Sequence, residues 1–306
     1  MQAQRAALAA TITGSGLWGL SGVAAQVVLQ RYDFPVWGLV AIRMLGASFL
    51  LLVFARPERP RPWTWSLAAL AVFGLVGSQA TYLEALFYSN VTTATLLQFL
   101  FLPMVAGYEL AKGTIRWSTR WGVLLTLAAV GTVLLVGTFS ALRFSVLITP
   151  LGLAFGLASA VGGAYYTLAA RAFAQTHSAQ WVSTWGFLLG GAVTAPLGAW
   201  TLFEYRWPTA LASGLLLAGL VLVVVVVGTI LAFTLYVYGL KNLTATEAGI
   251  ADSFEPIVAA VAGFAILGVA LSALQYVGGT LIIVAVALLG ASSSGRVEPS
   301  KGARPP

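Results

Sequence analysis

Four ionisable residues fall inside stretches that are otherwise apolar: Arg43, Glu84, Asp252 and Glu255. A charge at the centre of a bilayer costs at least roughly 2.5–3.5 kcal/mol on insertion scales, so each needs a partner or a wet cavity. Arg43 lies roughly 12 Å in from the outer end of its segment, at 1.5 Å per residue, and Glu84 about one turn from the outer end of the next. Those depths permit an ion pair between them, a structural clamp, and equally a role in a cavity. Asp252 and Glu255 are three residues apart and share a helix face. Pro256 follows at once; without an N–H, an interior proline tends to free the Asp252 carbonyl and bend the helix. Two acids beside a broken helix can bind an amine, or hold a coupling proton if burial favours the neutral form. A neutral or Arg/Lys-paired acid, with Glu-Pro as a packing feature, is the competing reading.

Uncharged polar and aromatic residues extend the candidate set. Gln79 and Tyr82 sit at i,i+3, as do Thr95 and Gln98, which precede Pro103. Trp18, Tyr165 and Trp185 are candidates for stacking on a substrate, although aromatics in membranes more often pack or anchor at the interface. Gly152-x-x-x-Gly156 and Gly186-x-x-x-Gly190 read as close helix contacts. Other signals fail in context. Gly14-Ser-Gly-Leu-Trp-Gly19 matches a dinucleotide fingerprint, but no strand precedes it. A lone His177 and the absence of cysteine leave no metal cluster, no disulfide and no nucleophile–base–orienter set, so neither an enzyme nor a cofactor is expected.

The elements that must carry these residues follow from composition. Of 306 residues, 59% are hydrophobic and only 8% are charged, against about 25% charged in soluble domains. Too few charges remain to cover a soluble surface. Apolar segments fall at 7–29, 35–55, 64–88, 91–110, 121–139, 148–170, 180–202, 211–239, 246–268 and 274–291. Each approaches the roughly 20 residues a spanning helix needs. The expected fold is therefore an all-α polytopic membrane protein of ten transmembrane helices, with a disordered tail over 292–306. Ten spans put both termini on one side, where twelve Lys and Arg fall against three in the opposite loops. That asymmetry places both termini in the cytoplasm. It also explains the net charge of +7 without a nucleic-acid partner; the lipid bilayer is the partner.

A shift of 153 residues lays 91–110 over the segment at 246–268, with Thr93 on Thr246, Phe101 on Phe254, Pro103 on Pro256, Val105 on Val258 and Ala106 on Ala259. Phe99 and Leu102 then correspond to Asp252 and Glu255, so that charge is no requirement of the scaffold. Two halves of five helices each, 1–140 and 141–291, force the second to insert upside down. Inverted repeats are common in transporters that rock around a midplane site.

Trp18-Gly19, Arg43, the run Ala85 to Ala94 leading to Pro103, Glu109, the run Tyr238 to Ala248 leading to Glu255-Pro256, and Gly278 to Ile282 together resemble the EamA-type branch of the drug/metabolite transporter superfamily. The resemblance implies a bacterial inner-membrane exporter of amino acids or related metabolites, with spans 1, 3, 4, 6, 8 and 9 around a central cavity. It also implies an acid after the ninth span, as Glu109 follows the fourth, yet Ala270 stands near that place. The expected function is secondary transport of a small molecule by alternating access, with a monomer sufficient and a dimer compatible. A drug or organic-cation exporter is the alternative, weakened by the absence of an acid from the first span. A channel lacks its rings of like charge or filter sequence. A non-transporting scaffold predicts no saturable flux.

Overall fold

The computed structural model describes residues 2–59, 64–89, 91–136, 139–140, 143–144, 149–267 and 272–293. Apolar runs with their backbone hydrogen bonds closed internally form α1 (Gln2–Arg31), α2 (Val36–Phe54), α3 (Trp65–Tyr88), α4 (Val91–Gln98), α5 (Phe101–Ala111) and α6 (Thr119–Val136). After a turn region come α7 (Pro150–Ala174), α8 (Ala179–Glu204), α9 (Leu211–Leu240), α10 (Ala245–Asp252), α11 (Glu255–Leu267) and α12 (Ala273–Ser293). Hydroxyls start several of them: Thr64, Thr149 and Ser178 accept from the N–H of Leu67, Gly152 and Trp181, satisfying donors that a first turn leaves unpaired.

Among the described residues, seven stretches are long and apolar enough to cross a bilayer, the last being α10 with α11 as far as Ala265. Three shorter apolar helices accompany them, Phe101–Ala111, Thr119–Leu134 and Tyr276–Leu289. The fold is that of a polytopic helical membrane protein. One departure from the all-α expectation is an antiparallel ladder pairing Phe139–Ser140 with Arg143–Phe144, where the sequence suggested that the fifth apolar segment continued to residue 139. The expected tail lies outside the described residues from 294 onward, as does Ala270.

Two helices carry a wider turn. Leu70–Val76 within α3 and Val226–Leu231 within α9 are π-helical, a geometry that redirects side chains and often marks functional sites. Two other helices are broken. α4 and α5 meet at Phe99–Leu100, and α10 and α11 at Ser253–Phe254. Each break precedes its proline, so Pro103 and Pro256 lie in the first turn of the following helix, where a missing N–H costs no intrahelical bond.

Packing follows the same pairing twice. α1 lies on α9 as α7 lies on α3, α2 packs along α8, and α6 along α12. Two glycines permit the first two contacts: a Cβ on Gly14 would stand 2.8 Å from the Ala232 carbonyl oxygen, and one on Gly162 would stand 2.6 Å from the Ser78 nitrogen. The main apolar core joins α1, α2, α3, α7, α8 and α9. Gly156, Gly186 and Gly190 sit against Leu97, Leu75 and Met44.

Candidate functional site

A partly open cavity lies where the two broken helices meet the π-helical ones. α1 presents Trp18, Ser21, Gly22 and Ala25 to it, the i, i+3, i+4, i+7 spacing of one helix face. Just beyond its π-helical stretch, α3 contributes Ser78, Gln79, Tyr82 and Leu83. Gln98, Phe99 and Phe101 enter from the first break, and Asp252 and Glu255 flank the second. α7 adds Gly163, Tyr166 and Thr167, and α9 adds Val224, Phe233 and Tyr236. Arg43 comes from α2, a helix outside the set that the family resemblance implied.

Charge is concentrated there. Arg43 is 5% exposed and Asp252 6%. Arg43 Nε donates to Thr229 Oγ1 at 3.0 Å, and that hydroxyl donates to the Val224 carbonyl at 2.8 Å. This second bond spans five residues, as the π turn of α9 allows. Tyr82 lies within electrostatic range of both Arg43 and Glu255, and its hydroxyl is 3.2 Å from Thr95 Oγ1. Asp252 meets Ser15 of α1, with 2.6 Å between Ser15 Oγ and Asp252 Oδ1. The buried indole N–H of Trp18 is without a partner among the described residues.

Aromatic rings form one wall. Trp18 stands 4.7 Å from Phe233 and 5.0 Å from Tyr236, and Tyr166 5.5 Å from Phe233. Edge-to-face and tilted rings at these distances rigidify one another. Thr167 holds the Tyr236 hydroxyl at 3.2 Å.

The structure thus gathers Trp18, Arg43, Gln79, Tyr82, Gln98, Asp252 and Glu255 around one space, with Thr95 directly behind Tyr82. Three candidates lie elsewhere. Glu84 is half-buried with Trp37 as its side-chain partner, and Arg43 is bonded to Thr229, so the Arg43–Glu84 ion pair that their depths permitted does not form. Trp185 is buried and donates Nε1 to the Glu58 carbonyl at 2.9 Å, tying down a loop. Tyr165 is exposed and meets Phe73 edge-on. It is Tyr166, one position and about 100° further round α7, that faces the cavity.

Sequence reasoning missed Ser15, Tyr166, Thr167, Phe233 and Tyr236; the i,i+3 spacing of Phe233 and Tyr236 was a visible signal. It placed Glu109 at the end of the fourth span without a partner. Glu109 is 2% exposed and reaches from the end of α5 to the start of α10. Its Oε1 accepts the Ala245 N–H at 3.1 Å, and its Oε2 accepts the Thr246 N–H at 2.8 Å and the Thr246 hydroxyl at 2.7 Å. Thr244 and Glu247 form a capping box on the same turn. Together these groups satisfy all four donors from Thr244 to Glu247. A negative group at a helix N-terminus also matches the helix dipole.

Comparison with known proteins follows the same outline. The model of the EamA-like transporter family matches residues 5–137 and again 150–291. The chain is similar to the uncharacterized inner membrane transporter YicL of Salmonella typhimurium, 30% identical over 92% of this chain and 94% of that one. It is 26% identical to the threonine/homoserine exporter RhtA of the same species, over 92% of each chain, and 24% identical to the uncharacterized transporter YwfM of Bacillus subtilis over 90% of each. A crystal structure 20% identical in sequence superposes with a TM-score of 0.73, covering 94% of this chain and 97% of that one; at that identity it supports the fold alone.

Proposed function

This chain belongs to the EamA-like transporter family, and on that premise we propose that it exports amino acids or closely related small metabolites across the bacterial inner membrane. The observation that carries the substrate class is the pairing of opposite charges at one cavity: a buried guanidinium, Arg43, and two acids, Asp252 and Glu255. An α-amino acid is a zwitterion. Its carboxylate fits the planar fork of Arg43, and the free indole N–H of Trp18 adds a second donor. Its ammonium fits Glu255, beside the rings of Trp18 and Tyr236, which attract cations. The side chain then lies in the remaining cavity.

In this reading ten segments cross the membrane as two inverted five-helix repeats, 1–140 and 141–291, with both termini cytoplasmic. The double family match, the two π-helical stretches and the two broken helices support it. The two half-helix pairs border the substrate, and movement of the halves exposes the cavity to each side in turn. A monomer holds the whole cavity.

The test is flux of labelled threonine and homoserine in liposomes containing the purified chain. Saturable transport that unlabelled amino acid competes supports the proposal. Absence of threonine and homoserine flux together with saturable flux of a permanent organic cation would overturn it. That second reading has its own support in the acids and the aromatic wall, but it leaves Arg43 with an uncompensated charge facing the substrate. The topology is tested by single cysteines at each terminus, since the chain has no native cysteine; labelling of either from the periplasm by an impermeant reagent would refute it.

A further inference from the structure

A threonine inside a helix ordinarily turns its hydroxyl onto a carbonyl one turn back. Thr11, Thr132 and Thr194 do so, donating to Ala7, Ala128 and Gly190, each four residues earlier. Thr229 differs. It lies in the π-helical stretch Val226–Leu231 of α9, and its hydroxyl donates to the Val224 carbonyl, five residues earlier, at 2.8 Å. That bond commits the single hydroxyl hydrogen and leaves the oxygen lone pairs for an outside donor. The donor is Arg43 Nε of α2, at 3.0 Å, and Thr229 is fully buried.

The wider turn is held from two sides. A Cβ on Gly228 would overlap Ser21 Oγ of α1, a cavity residue, and one on Gly46 of α2 would stand 3.3 Å from Val225 Cγ1. Gly46 is three residues from Arg43 and shares its helix face. The hydroxyl of Thr229 therefore has a fixed place between the two helices, whereas an arginine side chain by itself has many rotamers to lose. Anchoring Nε to a fixed oxygen orders the guanidinium before any ligand arrives, and a binding group ordered in advance holds its ligand more tightly.

The anchor also decides which edge of the guanidinium is left. Arg43 has five N–H donors in a planar fork. One is used on Thr229; the terminal nitrogens have no hydrogen-bond partner and Arg43 no paired acid among the described residues, the facing group being Tyr82. A nearly buried cation with unpaired donors, lining a cavity, is costly unless an anion joins it. A carboxylate meets a guanidinium either side-on, through Nε and one terminal nitrogen, or end-on, through both terminal nitrogens. With Nε occupied, only the end-on edge remains.

We propose that Thr229 is the positioning residue of the substrate-carboxylate site: it holds Arg43 by Nε so that the substrate carboxylate docks end-on against the two terminal nitrogens. This role rests on the amino-acid export reading above. The π-helical stretch of α9 serves it by moving the threonine hydroxyl off the usual four-residue bond and onto the carbonyl of Val224. Thr229 itself does not touch the substrate; its effect passes through Arg43 alone, so it bears on ligands that carry a carboxylate and not on those that lack one.

Two measurements on the purified full-length chain in lipid test this, one of them without substrate. Thr229→Val keeps the branched shape and deletes the hydroxyl; Thr229→Ala replaces it if the valine chain does not fold, and Thr229→Ser restores the hydroxyl. The first measurement is nuclear magnetic resonance of the chain labelled with nitrogen-15 arginine, in which the Arg43 Nε–H signal is assigned by its loss in Arg43→Gln. That signal is expected to exchange with water slowly in wild type and Thr229→Ser, and at least about tenfold faster in Thr229→Val, as a donor without its acceptor does. Equal exchange in wild type and Thr229→Val overturns the proposal. The second is counterflow of labelled threonine. Thr229→Val should raise KM about tenfold with little change in maximal rate, Thr229→Ser should restore it, and competition by the amino alcohol of threonine should be unaltered. In an Arg43→Gln background, Thr229→Val should change KM no further, since the two residues act as one unit. Losses that add in the double variant, or that fall equally on the amino alcohol, overturn the positioning role. Wild type that shows the protected Nε–H, lost in Thr229→Val, but neither binds nor moves threonine overturns the amino-acid reading and leaves the anchoring of Arg43 by Thr229 standing.

Discussion

Glu109→Ala removes one carboxylate from a place where three donors converge. In the native chain it accepts from the Ala245 N–H, the Thr246 N–H and the Thr246 hydroxyl, at 3.1, 2.8 and 2.7 Å, and both of its ends are buried. Hydrogen bonds to charged groups each contribute about 1.5–3 kcal/mol, and a buried donor left unpaired costs about 1–3 kcal/mol. The Thr246 hydroxyl is free to rotate, whereas the two backbone N–H groups are fixed in the first turn of α10, so these two backbone donors decide the cost. A loss of about 3–5 kcal/mol follows. For a chain of this size that corresponds to a fall in melting temperature of roughly 6–10 °C, at about 2 °C per kcal/mol. Glu109→Gln keeps one acceptor oxygen but turns an NH₂ toward the other donor, and it should lose roughly half as much. The assay is thermal unfolding of both variants in one detergent, with threonine counterflow in liposomes at a temperature where each stays folded. The Glu109 contact joins α5 to α10, so weakening it should also change the rate of exchange. A Glu109→Ala protein that melts with wild type would refute the reasoning, since two buried N–H groups would then have been orphaned at no cost.

Other expectations are narrower. Arg43→Gln should weaken threonine binding about ten- to hundredfold, the value of a charge-assisted pair; the amino alcohol of threonine, which lacks a carboxylate, should bind both proteins alike, and equal losses for both ligands would count against a carboxylate site. Trp18→Phe preserves ring packing and deletes the unpartnered N–H, so affinity should fall about three- to tenfold with an unchanged melting temperature, measured by titration calorimetry. Gly162→Ala puts a methyl 2.6 Å from the Ser78 nitrogen and should cost about 1–3 kcal/mol, whereas Gly263→Ala meets nothing within 4 Å and should melt with wild type; reversal of that order would contradict the packing. Tyr166→Ala should reduce threonine flux while Tyr165→Ala, directed away from the cavity, leaves it at the wild-type rate.

Much of this architecture was legible in the chain because the bilayer imposes one-dimensional rules. A membrane segment must close its own backbone hydrogen bonds and present apolar side chains for a fixed length. Hydropathy alone therefore locates helices such as Val36–Phe54 and Leu211–Leu240. The inward cost of charge likewise singled out Arg43, Asp252 and Glu255, since each is expensive unless something compensates it. The prolines at 103 and 256 marked where two helices are interrupted, since an interior proline forfeits a helical hydrogen bond, although Pro196 is accommodated within α8.

What the sequence could not fix was rotation about a helix axis and contact between distant helices. These helices are apolar on nearly every side, so no polar stripe tells the face toward lipid from the face toward protein, and Tyr165 and Tyr166 were equivalent until α7 packed against α3. Glu84 and Asp252 were similar as isolated acids; only tertiary packing put one beside Trp37 and the other against Ser15, 237 residues away. The same holds for Glu109, whose partners are 136 and 137 residues distant. Composition determined that the chain lives in a membrane and which charges there need company. The close approach of helices, set by glycines such as Gly14, Gly19 and Gly162, decided which company each one keeps.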